Sequence, residues 1–294
     1  MESVFPLLFH TILLRPYVFI FFLIYLFGCS LHLGMKKAIL FGMTGYLITW
    51  LSEYSSIHNG IPYGHYHYIE HTRGKELWVL GVPLMDSMSY VFLAYASYSM
   101  ALMVISPIRR TKGMIRLLDT NEIRHSPSAT ILGAVFMVYL DIIIDPVALR
   151  GDRWFLGQIY GYPEGGIYFG VPISNFLGWF VVGFILVYAL QKIDKLLAGK
   201  RAKEYFCCDH PRGYLVGPAL YCTVLIFNLS VTFLIHEYTL GWVGIFIVLL
   251  PSVLLFFTLR SRLSPRNVDS ESFEVHLKDF PSGVMPSREK PDLL

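Results

Sequence analysis

The chain has 294 residues, of which 54% are hydrophobic and only 15% are charged, and its mean hydropathy is +0.52. Soluble domains carry about 25% charged residues, so this composition excludes an ordinary soluble domain and predicts a protein embedded in a lipid bilayer. The net charge of +3 is small and scattered along the chain, which argues against a nucleic-acid-binding protein.

Seven stretches are predicted to be membrane-spanning helices, since a span needs about 20 mostly apolar residues. They are residues 17–34, 38–57, 83–105, 128–146, 171–190, 214–235 and 240–259. The segment Val4–Leu14 is too short to cross, and Pro6 is expected to break it, so we interpret it as an interfacial lead-in. No small-residue cleavage site follows the first span, which is therefore expected to be retained. The sequence predicts an all-α, multi-pass bundle in the cell membrane, with residues 1–263 as a single domain.

Lys and Arg fix the expected orientation of these spans. Counted from Arg15 to Arg266, the loops on one side hold 16 of these residues and those on the other side hold 5. Because cytoplasmic loops are enriched in Lys and Arg, the N-terminus is predicted outside and the C-terminus inside. The tail 264–294 is rich in Ser, Pro and charge, and it is expected to be disordered on the inner face.

Two segments on the outer side resemble one another. Gly60-Ile61-Pro62-Tyr63-Gly64 precedes Gly81-Val82-Pro83, and Gly161-Tyr162-Pro163-Glu164-Gly165 precedes Gly170-Val171-Pro172. Glycine permits tight turns and proline suits the first turn of the following helix. The similarity of the two segments predicts a parallel internal repeat. The alternative is that glycine and proline simply recur in many loops between membrane helices.

Ionisable residues inside spans are costly, so each is a candidate functional residue. Asp141 and Asp145 lie one turn apart in the fourth span, Glu53 lies near the outer end of the second, and Asp86 lies just inside the third. Two carboxyl groups on one helix face should not both ionise, so one is expected to stay protonated beside a carboxylate. The structural alternatives are a helix end at Asp145, a hydroxyl partner for Asp141 and a helix-dipole role for Asp86.

Aromatic side chains interleave these polar positions, notably Tyr63, Tyr66, Tyr168, Phe176 and Trp179. They fit an interfacial aromatic belt, and a share of them is predicted to line a slot for a long polyene or to stabilise a carbocation.

One loop is dense in histidine, with His58, His65, His67 and His71. A membrane di-iron site needs histidine clusters on several helices, and the sequence has no second cluster, so no metal is predicted. The sequence also lacks a phosphate loop, a nucleophile elbow and a dinucleotide fingerprint. Cofactor-free chemistry, or none, is therefore favoured.

Over roughly residues 40 to 190, these motifs together resemble the carotenoid biosynthesis membrane proteins, which include bisanhydrobacterioruberin hydratases and related carotenoid 1,2-hydratases. The histidine-rich loop departs from the family pattern. The resemblance is carried by Glu53, Gly60-x-Pro62-Tyr63-Gly64-x-Tyr66, Gly81-Val82-Pro83, Asp141-x-x-x-Asp145-Pro146, Tyr168-Phe169-Gly170-Val171-Pro172 and Ser174-Asn175-Phe176-x-Gly178-Trp179.

The resemblance implies addition of water across the terminal C1–C2 double bond of a linear carotenoid. Asp141 or Asp145 is then the candidate acid, and the other, or Glu53, the candidate for activating water. Asn175 is a candidate for positioning the water or a carboxyl group. The candidate substrate-binding residues are Tyr63, Tyr66, Asp86, Tyr168, Phe176 and Trp179.

The expected partners are the carotenoid and the lipid bilayer, with other carotenoid-synthesising enzymes as further candidates. Two alternatives stay open. One is a cyclase or isomerase that uses the same cation without water. The other is a carrier of protons or polyisoprenoids, which should have sites open to both faces near the membrane midplane.

Overall fold

The computed structural model describes residues 4–111, 114–155, 157–197 and 213–262, and the predicted inner tail lies outside these residues. The helices are α1 Val4–Leu14, α2 Pro16–His32, α3 Met35–Asn59, α4 Leu84–Ile105, the single turn α5 Asn121–Arg124, α6 Pro127–Ala148, α7 Ile173–Leu196, α8 Val216–Leu234 and α9 Tyr238–Arg262. The strands are β1 His67–Tyr68, β2 Trp78–Val79, β3 Val82–Pro83, β4 Ile108–Thr111, β5 Met114–Leu117 and β6 Tyr160–Gly161. They pair antiparallel as β1 with β6, β2 with β3 and β4 with β5.

Each of the seven predicted spans coincides with a helix, which supports an all-α membrane bundle. Five of these helices, α4 and α6 to α9 (the α8 span counted from Gly213), are long and apolar enough to cross a bilayer. A sixth span results if α1 and α2 are counted together. Helix α3 is long enough at 25 residues but carries Lys36, Lys37 and Glu53. The total of seven spans and the outward N-terminus stay predictions.

The N-terminal segment is a helix of its own. Helix α1 meets α2 at an angle of 91°, which agrees with an interfacial lead-in. The expectation that Pro6 breaks this segment is wrong. Pro6 lies in the first turn of α1, where no intrahelical partner for its missing N–H is required. The bend between α1 and α2 is held against the loop between β1 and β2. There Arg15 Nε lies 3.0 Å from the Glu76 carboxylate, and both side chains are fully buried.

Helix α4 is the centre of the bundle. Every residue from Tyr90 to Leu102 is buried, since α2, α3, α6, α7 and α8 all pack against it. In α9 the buried residues are only Leu240, Gly241 and Gly244, among the residues that the structure describes. A helix that is apolar all round and mostly exposed belongs at the lipid-facing edge.

The two echoing segments share local structure. Val79 pairs with Val82 in one, and Tyr168 bridges to Val171 in the other. The two residues between each pair have positive φ, 49° and 88° at Leu80 and Gly81, and 50° and 96° at Phe169 and Gly170. Such a turn matches the twist of a two-residue hairpin. Each turn leads through a proline into a helix, so Asp86 and Asn175 occupy equivalent third positions after Pro83 and Pro172. This equivalence supports the predicted repeat.

A buried ion cluster closes one end of the bundle, where α2 and α7 end and α3 begins. Lys37 Nζ lies 2.6 Å and Arg124 Nε 3.0 Å from the Asp194 carboxylate. Beside them, His32 Nε2 lies 2.6 Å from an oxygen of Asp119. Lys37 is one of the 16 Lys and Arg residues counted in the loops of one side; that placement is wrong, because Lys37 lies in the first turn of α3 and is 3% exposed.

Candidate active site

The main cavity lies at the opposite end of the bundle, where α2, α4 and α7 begin and α3, α6 and α8 end. It holds about 940 Å³ of empty space, including its open part. Its polar wall carries all the carboxyl groups singled out in the sequence, together with the predicted amide: Glu53, Asp86, Asp141, Asp145 and Asn175. The long-range fold therefore gathers in one place residues that come from four helices.

Asp141 and Asp145 face the cavity one turn apart on α6, as their spacing predicts. Both are buried, at 0% and 4% exposure. The side-chain amide of Asn175, in the first turn of α7, donates to both carboxyl groups, at 2.7 Å to Asp141 Oδ2 and 3.1 Å to Asp145 Oδ2. The amide thus joins the two carboxyl groups into a single unit.

The two carboxyl groups differ in their other partners. Asp145 also accepts hydrogen bonds from the hydroxyls of Tyr160 and Tyr162, the second at 3.0 Å. Asp141 Oδ1 is buried and has no hydrogen-bond partner among the residues that the structure describes. Hydrogen bonds from several donors stabilise a carboxylate, whereas an oxygen without a donor suits a protonated acid. The hydrogen bonds therefore favour the ionised form at Asp145 more than at Asp141.

Towards Asp145, Tyr160 and Tyr162 act as hydrogen-bond donors. Burial raises the pKa of both phenols well above their ordinary value, and the nearby Asp145 charge raises it further. Both hydroxyls therefore keep their protons at physiological pH. The pairing of β1 with β6 holds Tyr160 in place, because its partner in the ladder is Tyr68.

Two further carboxyl groups face the same cavity, from α3 and α4. Glu53, 1% exposed, accepts a hydrogen bond of 2.5 Å from Ser87 Oγ. Asp86 accepts one of 2.7 Å from the Tyr68 hydroxyl. In both halves a carboxyl group near the end of one helix is thus held from the first turn of the next helix, Glu53 by Ser87 and Asp145 by Asn175.

Aromatic rings cover the wall between the two halves. Tyr90 and Trp179, the seventh residues after Pro83 and Pro172, stack with centroids 4.3 Å apart and planes 18° apart. Tyr63 lies beside Tyr90 at 6.0 Å and Tyr66 beside Tyr63 at 6.4 Å. The predicted Tyr63, Tyr66 and Trp179 all line the cavity. Aromatic rings that line a cavity can stabilise a cation inside it.

Two of the predicted substrate-binding residues lie elsewhere. Tyr168 and Phe176 are half-buried and pack on each other, with ring centroids 5.8 Å apart. Neither contributes to the cavity wall.

Tyr160 and Tyr162 were missed in the sequence. They flank Gly161, the first residue of the second of the two similar segments. Comparing this segment with the first one, which contains Tyr63, could have identified them.

The histidine-rich loop does not gather ligands. His58 Nδ1 is 2.7 Å from the Tyr54 carbonyl oxygen, and the His65 ring packs close against Gly60. Within the described ranges, no three side chains of His, Cys, Asp or Glu are grouped to hold a metal ion.

A close contact between α7 and the loop that follows α3 shapes the cavity wall. A Cβ at Gly178 would lie 2.5 Å from Tyr63 Cδ1 and 2.8 Å from the Pro62 carbonyl oxygen. Gly178→Ala is therefore expected to displace Tyr63, to cost about 1–3 kcal/mol in stability and to lower turnover. Melting temperature and product per protein measure both effects. Gly42→Ala is the matched control, because a Cβ there meets only ordinary contacts at 3.6 Å or more; equal behaviour of the two variants would contradict the prediction.

Comparison with known protein families gives one match. A family model described as carotenoid biosynthesis protein matches residues 7–251. The chain belongs to this family. It is accordingly a multi-pass integral membrane protein with a role in carotenoid biosynthesis, acting on apolar substrates in a bilayer. No curated protein and no solved structure matches the chain.

Proposed function

We propose that this carotenoid biosynthesis protein is a cofactor-independent hydratase, which adds water across the terminal C1–C2 double bond of a linear carotenoid. The observation that carries the proposal is the pair Asp141 and Asp145, bridged by Asn175 in a cavity that Glu53 and Asp86 also line and whose remaining wall is mostly apolar and aromatic. Protonating an alkene needs a strong acid away from bulk water, next to a base that can take a proton back.

In the proposed reaction, Asp141 gives its proton to C2, and the positive charge develops at the tertiary C1. A water molecule attacks C1, and Asp145 takes the proton that the water loses. The alkene and one water become a tertiary alcohol, and the pair of carboxyl groups keeps the same total number of protons. Moving that proton from Asp145 back to Asp141 resets the pair.

The other cavity residues have supporting roles in this proposal. Asn175 holds the two carboxyl groups at a fixed separation, and Tyr160 and Tyr162 keep Asp145 ionised and oriented. The rings of Tyr63, Tyr66 and Trp179 stabilise the cation, because it develops beside their faces. Glu53 is the alternative base, and it reaches the cavity from the opposite half.

Expression in a host that accumulates linear carotenoids tests the reaction. Pigment extracts are separated by chromatography and their masses are measured. A product heavier by one water per modified end supports hydration. A product of unchanged mass with a new structure would indicate a cyclase or isomerase, and unchanged pigment with folded protein in the membrane would favour a carrier.

The proposal includes seven spans with the N-terminus outside, which places the cavity in the outer half of the bilayer. It is supported by the bias in Lys and Arg and by the gathering of the carboxyl groups at one end. A cysteine introduced at the exposed Glu164 is expected to react with a membrane-impermeant maleimide on intact cells. Labelling only after the cells are broken would show that this loop is inside and that the orientation is the opposite of the proposed one. The unsubstituted protein, with its own cysteines, is the control.

A further inference from the structure

Part of the cavity wall is apolar. It is built by α2, α4 and α8 and includes Val18, Phe21, Phe92, Val224 and Phe227. Acid–base chemistry makes no use of this apolar wall, so a different part of the substrate must explain it.

A cluster of aromatic rings extends from this apolar wall to the molecular surface, and we call it the aromatic mouth: Tyr17, Phe21, Trp154, Phe155 and Phe227. Tyr17 and Phe227 are stacked, with centroids 5.6 Å apart and planes 22° apart. Phe155 packs edge-on against Tyr17 at 5.5 Å and against Trp154 at 4.9 Å. Four of the five rings line the cavity, and Phe155 carries the cluster to the molecular surface, where it is 57% exposed.

The aromatic mouth has one apolar side and one polar side. On the apolar side, no charged residue lies between Pro16 and Leu31 in α2, or in α8, and the outward-facing side chains Ile20 and Ile226 are 55% and 65% exposed. Surfaces of this kind face lipid chains in a membrane bundle. On the polar side, Trp154 and Phe155 belong to the loop after α6 and directly follow the exposed Asp152 and Arg153. The mouth therefore lies where the apolar helices meet the loops at this end of the bundle, and its α2 and α8 side faces lipid.

We propose that the aromatic mouth is the binding site for the chain of a linear polyene, which enters sideways from the lipid between α2 and α8. This inference rests on the proposed function, because the chain must bring its end group to Asp141. A long hydrocarbon whose end group lies beside Asp141 leaves most of its length outside the cavity, and the uncharged α2 and α8 side is where that length can meet lipid. Flat aromatic faces match the flat conjugated chain, and their burial on binding is favourable.

Binding of lycopene to the purified protein in lipid nanodiscs tests this site. An Asp141→Asn background prevents turnover, and the shift in the absorption of the polyene reports its binding. Phe227→Ala is expected to weaken binding about tenfold, since it removes a large ring that contacts the chain. Phe184→Ala is the matched control, because Phe184 is a 39% exposed ring on α7 that lies outside the cavity wall. Equal affinities of these two variants would overturn the proposal.

A second measurement does not depend on how Phe227→Ala folds. A benzophenone amino acid at the exposed position of Phe155 is expected to form a covalent adduct with lycopene on irradiation, in excess over the same group at Phe184. Adducts with lipid alone at Phe155 would assign the mouth to lipid acyl chains and overturn the proposal.

The two proposals fail separately. Tight binding and an adduct at Phe155 without any hydrated product would leave the mouth standing and reject the reaction. Hydrated product together with unchanged binding in Phe227→Ala would support the reaction and reject the mouth as the binding site of the polyene.

Discussion

Asp141→Asn is expected to abolish formation of the hydrated carotenoid while the protein remains in the membrane at normal abundance. Asparagine has nearly the same shape but no acidic proton, so the alkene cannot be protonated. General acid catalysis contributes on the order of 10²- to 10⁴-fold in rate, and the loss is expected to reach that range. Mass spectrometry of pigments, normalised to the amount of protein, measures it.

The fold should tolerate this change, because Asp141 contributes only one hydrogen bond, from Asn175, and has a free oxygen among the described residues. Asp152→Asn makes the same chemical change at an exposed position close to the cavity and is expected to keep full activity. Normal product from Asp141→Asn would remove Asp141 from the acid role and leave Asp145 or Glu53 as the candidates.

The sequence predicts the polar core of the site because charges are rare inside apolar spans. Asp141 and Asp145 are one helical turn apart, so local geometry alone places them on one face. Glu53 and Asn175 stand out for the same reason, as polar residues in otherwise apolar segments. The positions of the helices follow equally directly from runs of apolar residues.

The donors around these carboxyl groups do not follow from local pattern. Tyr160 and Tyr162 lie in a loop, and they reach Asp145 because β6 pairs with β1, some 90 residues earlier in the chain. Ser87 reaches Glu53 because α3 and α4 pack side by side. Long-range pairing decides these cases, and a single sequence does not show it. Tyr168 and Phe176, by contrast, lie near the right motif in sequence but outside the cavity wall. Phe176 follows Asn175 by one residue in α7, so the two side chains lie on different faces of the helix.

Asp194→Asn is the second change with a large expected effect, and it acts on stability. Asp194 is the shared carboxylate of Lys37 and Arg124, and all three side chains are at most 4% exposed. Removing one partner of a buried ion pair typically costs about 3–5 kcal/mol, because the remaining charge stays buried with less compensation. Here two cations lose the same carboxylate, and Arg124 keeps Asp119 at 4.0 Å. The melting temperature in detergent and the amount of folded protein in the membrane are both expected to fall sharply.

Glu70→Gln is the matched control for this change, because it breaks a salt bridge with Arg73 in which both side chains are 60% exposed. Solvent screens such pairs, so its melting temperature should stay unchanged. The ion cluster lies at the far end of the bundle from the cavity. Asp194→Asn protein that does fold is therefore expected to make the same product at a near-normal rate, opposite to Asp141→Asn, which should fold normally and make none. A normal melting temperature in Asp194→Asn would show that Asp119, the other buried acid of the cluster, is enough to compensate the cations there.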